Sequence, residues 1–378
     1  MKALKTSFLL LLLALTVAPA AWARSQRIDS AEVARLAGRM LMVGFKGDSV
    51  APGCDAERYI RQNRVGGIIL FDVDLTGSAK VGSRNITTRP RLKKLTADLQ
   101  AMADYPLLIS ADQEGGLVQR LKPRYGFSRI PSALDMAKMP SPQLENTLDL
   151  LANELADAGI NVNLAPEADI HRDDCPVIGG LDRAFSPCPD SVTMLAERFI
   201  SACRHHGVAC AIKHFPGHGS ATADSHYGLT DVTANWKPEE LKPFRQLIAD
   251  GNADMVMTAH IFNRNLDPDY PATLSKRIIT DVLRDSLGVD GVVLTDDMYM
   301  KGIIDNYSIE DAVVRAINAG ADMLIMGNNI NTGFEPDRPA HIIGVIVDAV
   351  RNGRIPVSRL REANRRIDTL ARKLSQKR

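Results

Sequence analysis

The sequence predicts an α/β fold of the (β/α)8 TIM-barrel type carrying one catalytic domain. Three observations lead there: short apolar runs recur along the chain, amphipathic segments separate them, and polar residues cluster just after them. The runs are 41–44, 67–71, 107–110, 160–164, 208–212, 255–258, 292–295 and 323–326. Each is four or five residues long and rich in Val, Ile, Leu and Met. Unbroken rather than alternating apolarity suits strands buried on both faces of a parallel sheet. Strand-like runs alternating with helices point to a closed barrel more than to an open doubly wound sheet.

The intervening segments read as helices. Residues 91–103, 142–158, 191–206, 238–249, 275–286, 309–319 and 339–351 carry apolar residues at three- and four-residue spacing. Ser275 and Ser308 stand where helix N-caps are expected, and Gly159 and Gly320 where helices stop before the next strand. The last segment, 357–374, is a basic amphipathic helix expected to pack outside the barrel, its Arg/Lys run forming a solvated face.

The N-terminus reads as a leader. Lys2 and Lys5 precede an apolar run from Phe8 to Ala18, and Ala21-Trp22-Ala23 offers small residues at the two positions a signal peptidase reads. The run is short for a membrane span. The expected division is therefore a signal peptide at 1–23, cleaved near Ala23, and a barrel domain at 24–378, with a periplasmic or secreted product. Loss of the leader takes the formal charge from +1 to −1. A nearly neutral chain gives no electrostatic basis for binding nucleic acid or an anionic membrane surface. Of the five cysteines, Cys175 and Cys188 bracket a Pro/Gly-rich loop and form a candidate disulfide; Cys203 and Cys210 form a second, weaker pair. None lies in a close CxxC pair, so a structural zinc site is not expected.

On a barrel, polar residues at the C-terminal strand ends line the site. Such residues are Asp112-Gln113-Glu114, Asp169 and His171, Lys213-His214, His260, and Asp296-Asp297. The densest stretch is Lys213-His214-Phe215-Pro216-Gly217-His218-Gly219, continuing to Asp224-Ser225-His226. Phe-Pro-Gly permits a tight turn, and the small residues from Gly219 to Ala223 let Asp224 and His226 ride on a mobile loop. In extended chain, residues two apart face one way, so Asp224 can hold one nitrogen of His226 and leave the other for substrate. A histidine near pKa ~6.5 gives and takes a proton near neutral pH. Asp296 and Asp297 both stand at the mouth of the seventh strand. Adjacent strand residues point oppositely, so only one of them is expected to face the pocket as the attacking carboxylate.

These motifs, with Asp112-Gln113-Glu114-Gly115-Gly116, Arg120 and Thr295-Asp296-Asp297-Met298, resemble glycoside hydrolase family 3. The closer likeness is to its β-N-acetylglucosaminidase branch, and it extends from about Ala31 to Leu374. The resemblance implies a retaining double displacement on terminal β-linked N-acetylglucosamine, in peptidoglycan fragments or chitooligosaccharides. By motif, Asp296 matches the family nucleophile and His226 its acid/base, with Asp224 as partner. Asp112, Arg120, Arg183, Lys213 and His214 match the residues that hold sugar hydroxyls. No cofactor and no metal are implied.

Two departures stand out. The commonest Gram-negative relatives carry no signal peptide, and Met298-Tyr299-Met300 and the loop between Cys175 and Cys188 are not typical of the family. Rival readings are another β-glycoside as substrate, transfer of the glycosyl unit to phosphate, a metal-dependent barrel hydrolase, and a sugar-binding protein without turnover. The metal reading has five histidines in its favour (His171, His214, His218, His226 and His260), but neither an HxH pair after the first run nor an HExxH motif occurs.

Overall fold

The computed structural model describes residues 29–77, 79–224, 228–330 and 333–376. The leader expected at 1–23 and the expected acid/base His226 lie outside the described residues. Eight parallel strands close into a barrel: β1 Leu41–Val43, β2 Gly67–Ile69, β3 Leu108–Ala111, β4 Val162–Asn163, β5 Ala209–Phe215, β6 Met255–Thr258, β7 Val292–Asp297 and β8 Met323–Met326. Neighbours in the barrel are neighbours in the chain. The ring is completed by β1 against β8, where Leu41 lies beside Leu324 and Val43 beside Met326. Every apolar run is a strand, and the run residues are buried because side chains pack on both faces of the sheet.

Two strands reach further than their apolar runs. β5 continues through Lys213 and His214 to Phe215, and β7 through Asp296 and Asp297. These polar residues belong to the strands themselves, so strand pairing fixes their backbone.

All the expected helical segments are helices. Arg277–Ser286 has π-type hydrogen bonding, and Ser308 caps Ile309–Ala319 by accepting from Asp311 N. An additional helix, Ser30–Arg39, precedes β1. It packs beside the C-terminal helix Val357–Ser375, whose Asn364 donates to the Leu36 carbonyl at 3.0 Å. The basic face of that last helix is only partly solvated. Arg359 and Arg366 turn inward to Asp322, at 2.6 and 3.5 Å, because this buried carboxylate below β8 needs cations. No helix among the described residues is long and apolar enough to cross a membrane.

The expected disulfides are not present: all five cysteines are free thiols. Cys175 is buried, with Sγ 3.5 Å from the His218 carbonyl, whereas Cys188 is exposed at the start of helix Pro189–His205. Cys203 and Cys210 are both buried in the core as thiols.

The loop joining β2 to helix Arg89–Met102 covers residues 70–88, well beyond the two to six residues common in such connections. It stays in place through Arg84, whose side chain is fully buried. The guanidinium donates to Asp74, to Asn329, and to the Asn328 carbonyl at 2.8 Å. Asn329 in turn accepts from Leu75 N and donates to the Val73 carbonyl, both at 2.9 Å. One arginine thus ties the long loop to the end of β8. Breaking a buried ion pair from one side leaves its partner uncompensated, at about 3–5 kcal/mol. Arg84→Met is therefore expected to lower the unfolding free energy in urea by about that amount; a loss below ~1 kcal/mol would show that the clasp contributes no more than a surface pair.

Candidate active site

The C-terminal ends of the strands surround a cavity of about 420 Å³, lined by Asp112, Arg120, Arg183, Lys213, His214, Asp224, Asp296 and Asp297, among others. The expected nucleophile, its neighbour Asp297, Asp224 and the five expected sugar-holding residues therefore reach one pocket, whereas Gln113, Glu114, Asp169, His171 and His260, also named at strand ends, do not line it. The lining residues come from β5, β7 and the segments after β3, β4 and β5, and only barrel closure brings them together.

The floor is a network of paired charges. Lys213 Nζ lies 2.6 Å from Glu114 and 3.3 Å from Asp112, and Arg120 lies 3.1 Å from Asp112. Arg183 grips Glu114 with two nitrogens, each at 2.9 Å, and reaches Glu167 at 2.6 Å. His214 Nδ1 sits 2.8 Å from Asp169 and 3.2 Å from Glu167. Four carboxylates face four cations, and most of these side chains are nearly out of reach of water.

The charges set each other's protonation. Burial opposes ionisation of Asp112, but Lys213 and Arg120 keep its pKa below the usual carboxylate value. Burial likewise opposes the charge on His214, yet Glu167 and Asp169 push its pKa up to about 10, so it is an imidazolium at neutral pH. His218 is the converse case. Burial and the neighbouring His214 charge drop its pKa to about 3, leaving it neutral.

Glu167, Asp169 and His214 offer ligand atoms within 4.8 Å of one another, a metal-like arrangement that the sequence reading had not anticipated. The His214 proton and Arg183 already supply the positive charge this triad needs.

Asp169 also builds the backbone of the site. One oxygen accepts from His214 N at 3.1 Å, and the other from His218 N at 2.6 Å. That pins the turn after β5, where the Lys213–His214 and Phe215–Pro216 peptides are both cis. Gly217 has φ +114°, which favours glycine. A Cβ on Gly219 would meet the Ile170 carbonyl oxygen at 2.1 Å.

The small-residue stretch is therefore not a free loop throughout. His218, Ser220 and Ala221 are buried, and exposure begins only at Thr222 and Ala223. Small residues are needed there because the turn packs tightly against the segment after β4. Asp224 is half-buried and lines the cavity.

At β7, the expectation that only one aspartate faces the pocket is corrected. Both line it, because the pairing with β8 shifts register between Leu294 and Asp297 and breaks the alternation. Their surroundings differ. Asp297 accepts from Tyr299 N at 3.0 Å through one oxygen and from Gly327 N at 3.1 Å through the other. Burial and the Asp296 charge raise its pKa to about 6. Asp296 is less buried, and its Oδ1 accepts from Asp297 N at 2.7 Å. His260 Nε2 donates to the Asp297 carbonyl at 2.9 Å and fixes the end of the strand.

Sequence reasoning gave no specific role to Glu114, Glu167 or Asp169, which pair with Lys213, Arg183 and His214. Glu114 stands inside a quoted motif and Asp169 at a quoted strand end. Glu167 lies two residues before Asp169 but stands in none of the quoted motifs.

A family model described as "Glycosyl hydrolase family 3 N terminal domain" matches residues 34–370. Among curated proteins, a beta-hexosaminidase of Tolumonas auensis is 39% identical over 287 residues, covering 73% of this chain and 81% of that protein. One of Idiomarina loihiensis is 34% identical over 297 residues, covering 76% and 84%. Among solved structures, a family 3 beta-N-acetylglucosaminidase from Paenibacillus sp. superposes with a TM-score of 0.80 at 34% identity. The match covers 90% of this chain but only 62% of that longer one. A beta-N-acetylhexosaminidase from Beutenbergia cavernae gives a TM-score of 0.77 at 28% identity, covering 90% and 98%. With the fold, the ordered motifs and these relatives in agreement, the chain belongs to glycosyl hydrolase family 3 and is a glycoside hydrolase.

Proposed function

We propose that this enzyme is a retaining β-N-acetylglucosaminidase, exported to the periplasm or beyond, that removes terminal β-linked N-acetylglucosamine from peptidoglycan fragments or chitooligosaccharides. The observation that carries this reading is the contrast at the end of β7. Asp297 spends both oxygens on backbone amides, while Asp296 lies in the same cavity as the paired charges of Asp112, Arg120, Arg183, Lys213 and His214. A carboxylate opposite a floor of hydroxyl-binding groups suits attack on an anomeric carbon. The names of the relatives support the choice of N-acetylhexosamine.

In the first step, Asp296 attacks C1 and the glycosidic C–O bond breaks. The departing oxygen takes a proton from His226, and a covalent glycosyl-enzyme remains. In the second step, His226 removes a proton from water, the oxygen bonds to C1, and Asp296 leaves as carboxylate. Asp224 holds the second imidazole nitrogen and stabilises the imidazolium. Asp112 accepts from sugar hydroxyls, and Lys213, Arg120, Arg183 and His214 donate to them. Because His214 keeps its proton to about pH 10, its donor role persists throughout the range in which His226 cycles.

Two experiments address these roles. A slow fluorinated N-acetylglucosaminide is expected to add one glycosyl mass to a peptide in which fragmentation places the label on Asp296. Label on Asp297, or none despite turnover, would assign the nucleophile elsewhere. His226→Ala is expected to lose about 10²–10⁴-fold in kcat/KM on alkyl or sugar leaving groups and far less on nitrophenyl ones, since only the former need protonation. Equal losses on both would remove His226 as the acid.

A further inference from the structure

One charged pair in the cavity has no part in the chemistry described above. Asp72, on the long loop after β2, and Lys122, beyond the hairpin after β3, both line the pocket. Lys122 Nζ donates to Asp72 Oδ2, and Tyr125 Oη donates to the same oxygen at 3.2 Å. Asp72 Oδ1 takes no hydrogen bond from the described residues, and it is not a sealed atom. Lys122 has three donors and makes this one hydrogen bond. A buried carboxylate oxygen and ammonium hydrogens without protein partners in a cavity wall call for a ligand that satisfies them.

We propose that Asp72 and Lys122 form a hydroxyl-reading site for the sugar ring bound in the pocket, and so determine which N-acetylhexosamine the enzyme accepts. This rests on the hexosaminidase reading above.

Three features select that occupant. The pair offers an acceptor and a donor side by side, and a hydroxyl is the small group that both donates and accepts. The pair is neutral overall, so it gives no net attraction to a carboxylate or phosphate. Asp72 is 1% exposed, which places the carboxylate end of the pair in the enclosed part of the cavity, whereas a leaving group lies toward the open mouth. Lys122 also stands two residues beyond Arg120, and both side chains line the same cavity. The reading site is thus continuous with the Asp112–Arg120 pair. The Arg84 clasp holds the other half, because it fixes the loop that carries Asp72.

The test uses the nitrophenyl β-N-acetylglucosaminide and its 3-, 4- and 6-deoxy forms, which share one leaving group. Wild type, Asp72→Asn and Lys122→Met are compared. Each variant is expected to lose about 10-fold or more in kcat/KM on the parent substrate, as for a hydrogen bond to a charged group. One deoxy form is expected to show that loss already with wild type, and the variants should not deepen it. The proposal is overturned if both variants lose the same factor on all four substrates, which would make the pair a support for the loop. It is equally overturned if losses appear only when a sugar replaces nitrophenol as leaving group, or if Asp72→Asn improves turnover of a carboxylated substrate and leaves the parent unchanged.

Lys122 is partly exposed, so its variant guards against a folding failure at Asp72. Failure of wild type to hydrolyse the parent substrate would instead overturn the reading under Proposed function. In that case, calorimetric binding of free N-acetylglucosamine and its deoxy forms still tests the pair, and equal affinities in wild type and variants would count against it.

Discussion

The chain of paired charges beneath the pocket is the constraint on which the rest of the site depends. Moving a carboxylate or an ammonium from water into protein costs several kcal/mol per ion, and only good pairing geometry offsets it. Here Asp112, Glu114, Glu167 and Asp169 are met by Arg120, Arg183, Lys213 and His214. The network is shared between the segment after β3, the segment after β4, and β5, so it forms only when the barrel has closed. It also settles protonation. With two acids at its Nδ1, His214 is a fixed cation, while His218, its ring 5.6 Å away, is a fixed neutral. Neither of these histidines titrates near neutral pH.

The end of β7 depends on a second frame. Asp297 is bonded to Tyr299 N and Gly327 N, and His260 holds its carbonyl from β6. These bonds join three consecutive strands at their C-terminal ends. Asp296 takes its position from them, and its own oxygen accepts the Asp297 amide. Two adjacent acids of one chemical type thus line the same cavity in different settings: Asp297 is immobilised by backbone donors on both oxygens, and Asp296 is less buried.

Much of this was legible in the chain. The apolar runs gave all eight strands because a strand covered on both faces has to be apolar on both. The helices followed from spacing and from caps such as Ser308. The strand ends named Asp112, Lys213, His214 and Asp296, since barrel topology assigns chemistry to that edge. The errors have physical causes. Pairing of Cys175 with Cys188 was inferred from loop brackets, but Cys175 turns into the core while Cys188 caps a helix at the surface. Strict alternation at Asp296-Asp297 ignored a register shift against β8. The small residues after Gly217 suggested mobility, whereas the backbone of Ile170 leaves no space for a side chain at Gly219, and Ser220 and Ala221 are buried.

By itself the sequence determined the barrel, the order of its elements and the edge that carries chemistry, because hydrophobic period and turn composition are local properties. Only the tertiary structure decided which charges meet. Glu167 stands in none of the quoted motifs, yet Arg183 reaches it at 2.6 Å. Asp72 and Lys122 are fifty residues apart and share a cavity wall because a long loop is clasped to the last strand. Electrostatic pairing depends on distances of a few ångströms between side chains that barrel closure alone brings together, and those distances are not written in any local stretch of the chain.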